Sequence, residues 1–293
     1  MEADPRLARK LARKEVAMRQ VRDPATARPA RQRPREDGMP YFRVGSGPPL
    51  AFLPGLTPHH RQPRGRQRLF QLSQLKPLPS RHEVWWINRR PGLPPGVTMA
   101  DLAADYASML RERFAGPIDV LGVSTGGSIA LQLAADHPDV VDRLVVVSAA
   151  HRLGPLGRAV AHEAATQLRA GRPRRANAAL FTLLGTRPFG RRLLRGAGWL
   201  LGPAVFGTGD RDLVLTLEAE ETFDIEDELP RITASTLVVG GALDPCYGAE
   251  LFEHTAARMP NAELTLCGGK GHVGPQSRPV ARAVRAFLAA RPR

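Results

Sequence analysis

One hexapeptide limits the fold of this 293-residue chain more than any other feature: Gly122-Val123-Ser124-Thr125-Gly126-Gly127. An apolar, strand-like run at 118–123 leads into it, and a helix-like run at 127–135 leaves it. A strand that turns straight into a helix brings two backbones into near contact. Side chains at the glycine positions would strike the neighbouring strand or helix, so glycine is required there. Such a turn lifts the Ser124 hydroxyl above the sheet. It also aims the free N–H groups and the positive end of the new helix at the same spot.

Alternation of strands and helices extends that commitment along most of the sequence. Met39 opens a first strand, residues 50–53 form a short buried strand ending at Pro54-Gly55, and 66–78 carries leucines and Phe70 at helical spacing. Residues 84–88 read as a strand bearing Trp85 and Trp86. Thr98 then caps a helix with Asp101 three residues on, and Leu102, Tyr106, Met109 and Leu110 share one of its faces. Strand 144–147 follows the Ser124 turn. The order resumes later with strand 235–239, helix 248–259, strand 263–266 and helix 278–290. Such alternation folds as a mainly parallel sheet covered on both faces.

Two stretches stand apart. Residues 152–230 are rich in arginine and leucine, helical in pattern and without clear strands. They are expected to form a helical cap inserted into a core made of residues 39–151 and 231–293. Residues 1–38 hold nine arginines and two lysines against six acids, with few large apolar side chains. A segment of that composition cannot pack a core, and a basic, disordered N-terminal extension is expected.

Composition narrows the functional classes. The net charge is +14, yet only four of the 42 basic residues are lysine (Lys10, Lys14, Lys76, Lys270). With so much alanine, glycine and proline beside it, the arginine excess reads as the base composition of a GC-rich gene. Basic residues are not interleaved with aromatic ones, so no specific nucleic-acid partner is expected. Two cysteines make no disulfide framework, no apolar run reaches transmembrane length, and no apolar leader opens the chain. The expectation is a soluble, cytoplasmic protein with a small-molecule substrate; oligomeric state leaves no mark in the sequence.

Two later residues complete a chemical pattern around Ser124. The strand at 236–239 runs into Gly-Gly-Ala-Leu-Asp-Pro and places Asp244 just past its end; the next strand runs into Gly-Gly-Lys-Gly-His and places His272 past its own. In an open parallel sheet, sites gather at the carboxyl ends of the strands. A serine hydroxyl is a weak nucleophile until a base takes its proton. His272 has the intrinsic pKa to do so and then to protonate a leaving group, while Asp244 would orient the imidazole and stabilise its charged form. An oxyanion formed by the attack needs two donors. The backbone N–H of Thr125, directly after the nucleophile, is one. The N–H of Leu56, in the loop after the early strand, is the other.

With these pieces in place, the chain from about Met39 onward resembles an α/β-hydrolase fold protein of the serine-nucleophile branch. The shared features are the oxyanion strand and loop, the turn at 122–126, the inserted cap, Asp244 and His272. The resemblance implies a mainly parallel eight-stranded sheet, with the cap between its sixth and seventh strands. It implies cleavage of an ester or related acyl bond through an acyl-enzyme, with no cofactor. An acyltransferase on the same triad, or a ligand-binding protein that kept the fold without turnover, are the alternatives. The chain departs from many members at Pro54-Gly55, where they carry His-Gly, and at Asn88-Arg89-Arg90-Pro91-Gly92, where they carry Asp-x-x-Gly. Substrate specificity is expected in Leu56, Trp85 and the 152–230 helices.

The remaining polar candidates have plain readings. His59-His60 reads as an exposed loop pair, and with His82 it offers no metal-ligand spacing, so no metal is expected. Arg89 and Arg90 read as solvated surface in an arginine-rich chain. Cys246 and Cys267 read as free buried thiols. The acidic run Glu218, Glu220, Glu221, Asp224, Glu226, Asp227 and Glu228 reads as a partner for cap arginines.

Overall fold

The computed structural model describes residues 38–290 apart from 77, 79, 206, 273, 275 and 276. The basic extension expected at 1–38 lies, all but Gly38, outside the described residues.

The elements run β1 (Tyr41–Val44), β2 (Pro49–Leu53), α1 (Gly65–Leu75), β3 (Glu83–Ile87), α2 (Met99–Arg113), β4 (Ile118–Val123), α3 (Thr125–Asp136) and β5 (Val141–Val147). Four helices follow: α4 (Pro155–Arg169), α5 (Pro173–Phe181), α6 (Pro188–Val205) and α7 (Arg211–Glu221). The chain then closes with β6 (Ser235–Gly241), α8 (Ala249–Arg258), β7 (Ala262–Cys267) and α9 (Arg278–Ala289). The sheet order is β1-β3-β2-β4-β5-β6-β7. Only β1 is antiparallel, pairing Tyr41 with Ile87 and Val44 with Val84.

Among the described residues seven strands stand where the resemblance implied eight, and the helical segment falls between β5 and β6 instead of the sixth and seventh. One edge strand accounts for both differences. Among the described residues only Gly38, Met39 and Pro40 precede β1, too few for another strand and its turn. Pro40 also has no N–H to offer a ladder.

The strands read as apolar runs because the parallel sheet is buried on both faces, and successive side chains go to opposite sides. On β5, Leu144 and Val146 face one core cluster and Val145 and Val147 the other. Leu102, Tyr106 and Leu110 of α2 join the first cluster, with Ile129 and Leu133 of α3 and Phe252 of α8. Leu75 of α1 and Val280, Val284 and Leu288 of α9 join the second. Each such side chain fully buried contributes roughly 1.5–3 kcal/mol. The start of α2 is fixed by the expected capping box: Thr98 Oγ1 accepts from the Asp101 N–H, and the Asp101 carboxylate accepts from the Thr98 N–H.

Parallel strands carry their carboxyl ends to a single edge. Ser124 directly follows β4, Asp244 follows the end of β6, and His272 follows the end of β7.

Candidate active site

Ser124 sits at φ 53°, ψ −126°, in a region that a non-glycine residue enters only at a cost of about 1–3 kcal/mol. The surroundings hold it there. Its own N–H donates to the Val147 carbonyl at 2.9 Å, and the Gly127 N–H donates to the Ser124 carbonyl at 2.6 Å. A Cβ at Gly122 would lie 2.2 Å from the Gly126 carbonyl oxygen, and one at Gly126 would lie 2.2 Å from that of Leu53. No side chain fits at either place, so β2, β4 and α3 approach each other at backbone distance.

His272 Nδ1 is 2.8 Å from Asp244 Oδ2, and its Nε2 is 3.0 Å from Ser124 Oγ. A carboxylate only accepts, so Nδ1 carries the hydrogen and Nε2 turns its lone pair to the serine hydroxyl. The second carboxylate oxygen of Asp244 accepts from the Cys246 N–H at 2.8 Å. Asp244 is wholly buried and His272 is 19% exposed. Burial alone would pull the His272 pKa down; the charge and hydrogen bond of Asp244, with the charge of Glu220 behind them, outweigh it and raise the pKa above its ordinary value. The Tyr247 ring lies nearly parallel to the imidazole, 6.2 Å away between centroids.

The other flank of Ser124 is built around a buried cation. Arg89, expected on the surface, is 0% exposed. Its Nη1 donates to the Pro54 carbonyl at 3.3 Å, and its Nη2 to the Gly55 carbonyl at 3.0 Å and to Thr57 Oγ1 at 2.9 Å. Its Nε donates to His60 Nε2 at 3.1 Å. No carboxylate lies within ion-pair distance of it among the described residues. Burial draws its pKa below the ordinary guanidinium value, partly offset by Tyr106 and Glu220; an arginine stays charged even so.

These bonds orient the loop after β2. In a trans peptide the C=O and N–H point in opposite directions. Holding the Gly55 carbonyl on the guanidinium therefore turns the Leu56 N–H away from Arg89. Gly55 itself lies against the Ser124 turn, where an added Cβ would be 3.3 Å from Ser124 Cβ. Neither the Leu56 N–H nor the Thr125 N–H donates to a backbone carbonyl among the described residues.

His60 is equally determined. Its Nδ1 is 2.9 Å from the Arg90 carbonyl, an acceptor, so Nδ1 carries the hydrogen and Nε2 accepts from Arg89. Burial and the Arg89 charge push its pKa down to about 4. The expected exposed pair is thus one buried histidine, His60, and one half-exposed histidine, His59, bonded to Asp210 at 2.9 Å.

A profile of the alpha/beta hydrolase family matches residues 50–286. The chain belongs to this family. It is 28% identical over 198 residues to a Stutzerimonas stutzeri (strain A1501) protein described as "Putative carbamate hydrolase RutD", covering 63% of this chain and 71% of that one. Its fold is similar to that of MGS-M2, an alpha/beta hydrolase from a Medee basin deep-sea metagenome library, with a TM-score of 0.72 and 16% identity over 87% of this chain and 95% of the other. It is also similar to the enol-lactonase from Burkholderia xenovorans LB400, with a TM-score of 0.70 and 20% identity over 86% and 96%. Family and relatives together point to hydrolase chemistry.

Within this alpha/beta hydrolase, several polar residues depart from their sequence readings. The acidic run divides. Glu218 pairs with Arg169 and Asp224 with Arg152, as expected of a run facing the segment's arginines. Glu220 turns inward instead, is buried, and accepts from Ser128 Oγ of α3 at 3.0 Å. Burial raises its pKa; hydrogen bonds from Thr125 and Ser128 and the charges of Arg89 and His272 work against the rise. Helical spacing on α7 was the one sequence signal that separated Glu220 from its exposed neighbours.

Arg90 is half-buried and bonded to Asp105 at 2.5 Å. Cys246 and Cys267 are free and buried, as expected. Trp85 packs against Tyr41 and Phe114. Its neighbour Trp86 lines a cavity of 630 Å³ bounded also by Leu56, Phe70 and Ala204. One step along a strand changes face, so Trp85 and Trp86 serve different sides of the sheet. No helix among the described residues is long and apolar enough to cross a membrane.

Proposed function

We propose that the protein hydrolyses an acyl bond of a small molecule, an ester or a carbamate, through a covalent acyl-enzyme on Ser124. The observation that carries this reading is the continuous chain of bonds from Asp244 through His272 to Ser124, at 2.8 and 3.0 Å. Ser124 Oγ attacks the carbonyl carbon while His272 Nε2 takes its proton. The carbonyl oxygen becomes an oxyanion and is held by the N–H groups of Leu56 and Thr125. Loss of one such donor typically costs about 2.7–4 kcal/mol of transition-state stabilisation. The tetrahedral intermediate collapses, the leaving group departs with the His272 proton, and water activated by the same imidazole releases the acid.

The helices of residues 152–230 act as the cap over this site, and the 630 Å³ cavity beside Leu56 receives one arm of the substrate. Leu56, Phe70 and Trp86 give it an apolar wall and Arg61, Arg64 and Arg66 a basic one, so it suits an apolar arm that ends in a polar or anionic group. The relatives described as carbamate hydrolases place carbamates beside esters among the substrates to test.

The test is intact-protein mass spectrometry after treatment with a fluorophosphonate. Wild type should gain one adduct; Ser124→Ala should gain none, and His272→Ala should react far more slowly. Folded wild type that gains no adduct would overturn the reading. Turnover of aryl esters and aryl carbamates, with and without an added alcohol, then separates hydrolysis from acyl transfer.

A further inference from the structure

The segment 152–230 leaves the sheet after β5 and returns before β6, and a cluster of three side chains stands where it leaves and returns. His151 comes just ahead of the segment, Glu226 lies near its return, and His254 lies on α8 of the core. The two ends are already joined: Arg152 and Asp224 form an isolated antiparallel bridge, and the Ile225 N–H donates to the His151 carbonyl at 3.1 Å. One ligand atom from each of His151, Glu226 and His254 lies within 4.8 Å of the others.

The protonation of His151 is fixed by its neighbour. Thr255 Oγ1 donates its single hydrogen to the Leu251 carbonyl at 2.6 Å, so toward His151 Nδ1, 2.9 Å away, it accepts. Nδ1 therefore carries a hydrogen, and because Nε2 is buried with no acceptor within hydrogen-bond distance to stabilise a second one, it is left with a bare lone pair. His151 is 0% exposed, and Nε2 has no hydrogen-bond partner among the described residues. What it faces is Glu226 Oε2, 3.7 Å away, another atom that can only accept. On the far side His254 Nε2 donates to Glu226 Oε1 at 2.8 Å. The nearby charges are Arg152, 3.9 Å from Glu226 Oε2, and Asp224, 3.2 Å from Arg152. Arg152 is paired with Asp224 and donates nothing to His151. A buried lone pair aimed at a carboxylate costs free energy unless a positive centre stands between them.

We propose that His151 Nε2, His254 Nε2 and Glu226 form a binding site for a divalent transition-metal ion of the zinc type, which fastens both ends of the 152–230 segment to α8. Two imidazoles and one carboxylate suit Zn²⁺, with water as the fourth ligand. Metal–ligand bonds of about 2.0–2.2 Å at tetrahedral angles set ligand atoms about 3.4 Å apart. His254 Nε2 is now 2.8 Å from Glu226 Oε1 and His151 Nε2 is 3.7 Å from Glu226 Oε2, and with one atom from each residue the three lie within 4.8 Å, so shifts of about 1 Å bring them to that value. The bond from His151 Nδ1 to Thr255 and on to the Leu251 carbonyl is the outer support that ligating histidines use to hold ring and tautomer. On binding, His254 Nε2 gives up the hydrogen it donates to Glu226, which moves to Nδ1 or to solvent. The expectation of no metal rested on His59, His60 and His82. The three ligands here lie on separate elements and leave no spacing motif.

The experiment uses the full chain, freed of metal by a chelator and titrated with Zn²⁺ in competition with a chromophoric chelator, and with Co²⁺ read by visible absorption. Wild type should take up one equivalent, show the absorption of a low-coordinate Co²⁺ site, and melt several degrees higher with Zn²⁺ bound. Glu226→Gln and His254→Arg should each weaken Zn²⁺ binding tenfold or more and lose the Zn²⁺-dependent rise in Tm. Both positions are at the surface, and His254→Arg keeps an N–H donor beside Glu226, so the metal-free Tm should stay near that of wild type. Absence of stoichiometric binding in wild type would overturn the proposal. So would equal binding in both variants, which would mark an adventitious ion only.

Discussion

The two flanks of Ser124 are held by opposite charges used in opposite ways. On one flank a buried anion, Asp244, faces a histidine and raises its pKa, so that charge bears on a proton. On the other a buried cation, Arg89, faces two carbonyls and a histidine, adds to the burial that lowers that histidine's pKa to about 4, and bears on the direction of a peptide. Histidines with the same hydrogen-bearing nitrogen thus differ in function through the sign of their nearest buried charge. His272 offers its lone pair to the serine hydroxyl; His60 spends its lone pair on the guanidinium.

The comparison is tested most severely at Asp244. Asp244→Asn should preserve the geometry, favour the wrong His272 tautomer and lower kcat about 10⁴-fold. Esterase kinetics beside circular dichroism would check it, and a loss below tenfold would remove Asp244 from the proton path. Arg89→Lys keeps a charge but cannot span the Pro54 and Gly55 carbonyls together. If the guanidinium orients the Leu56 N–H, kcat should fall about 10²-fold while KM stays within a few-fold. A change confined to KM would place Arg89 in substrate binding.

His60 gives a stability test. Its folded pKa is depressed, so its contribution is present above about pH 6.5 and is lost as pH falls toward 4. Between pH 7 and pH 4 the loss amounts to about 3 kcal/mol for a group moved from its ordinary value to about 4. Urea titrations at both pH values should show that loss in wild type and a smaller one in His60→Gln. The smallest effect is expected at Glu220. Ionised Glu220 favours protonated His272, whereas the proposed mechanism uses the neutral imidazole as base. Glu220→Gln should therefore move the acid limb of the kcat/KM profile to lower pH, by less than about one unit.

How much was legible varies with the kind of force involved. The strands and helices of the sheet region were readable because alternation and helical spacing report burial directly, and element ends moved by only a few residues. The order Ser124, Asp244, His272 was readable because each follows a strand, and parallel strands share an edge. Arg89, His60 and Glu220 were misread for one physical reason. Local sequence says that charged and polar groups prefer water, and only a set of distant acceptors and donors can reverse that preference. For Arg89 the acceptors come from residues 54–60, and for Glu220 the donors are Thr125 and Ser128.

The sequence by itself determined a parallel sheet, a strained serine at its edge and a helical segment between two sheet strands, because apolar periodicity and the glycines around Ser124 admit little else. The tertiary structure decided which polar groups lie inside and which atoms face each other: the guanidinium on the Gly55 carbonyl, the imidazole between Asp244 and Ser124, and the bare nitrogen of His151 turned toward Glu226. Hydrogen bonds act over about 3 Å and depend on angle, so they are fixed only once elements far apart in sequence have packed.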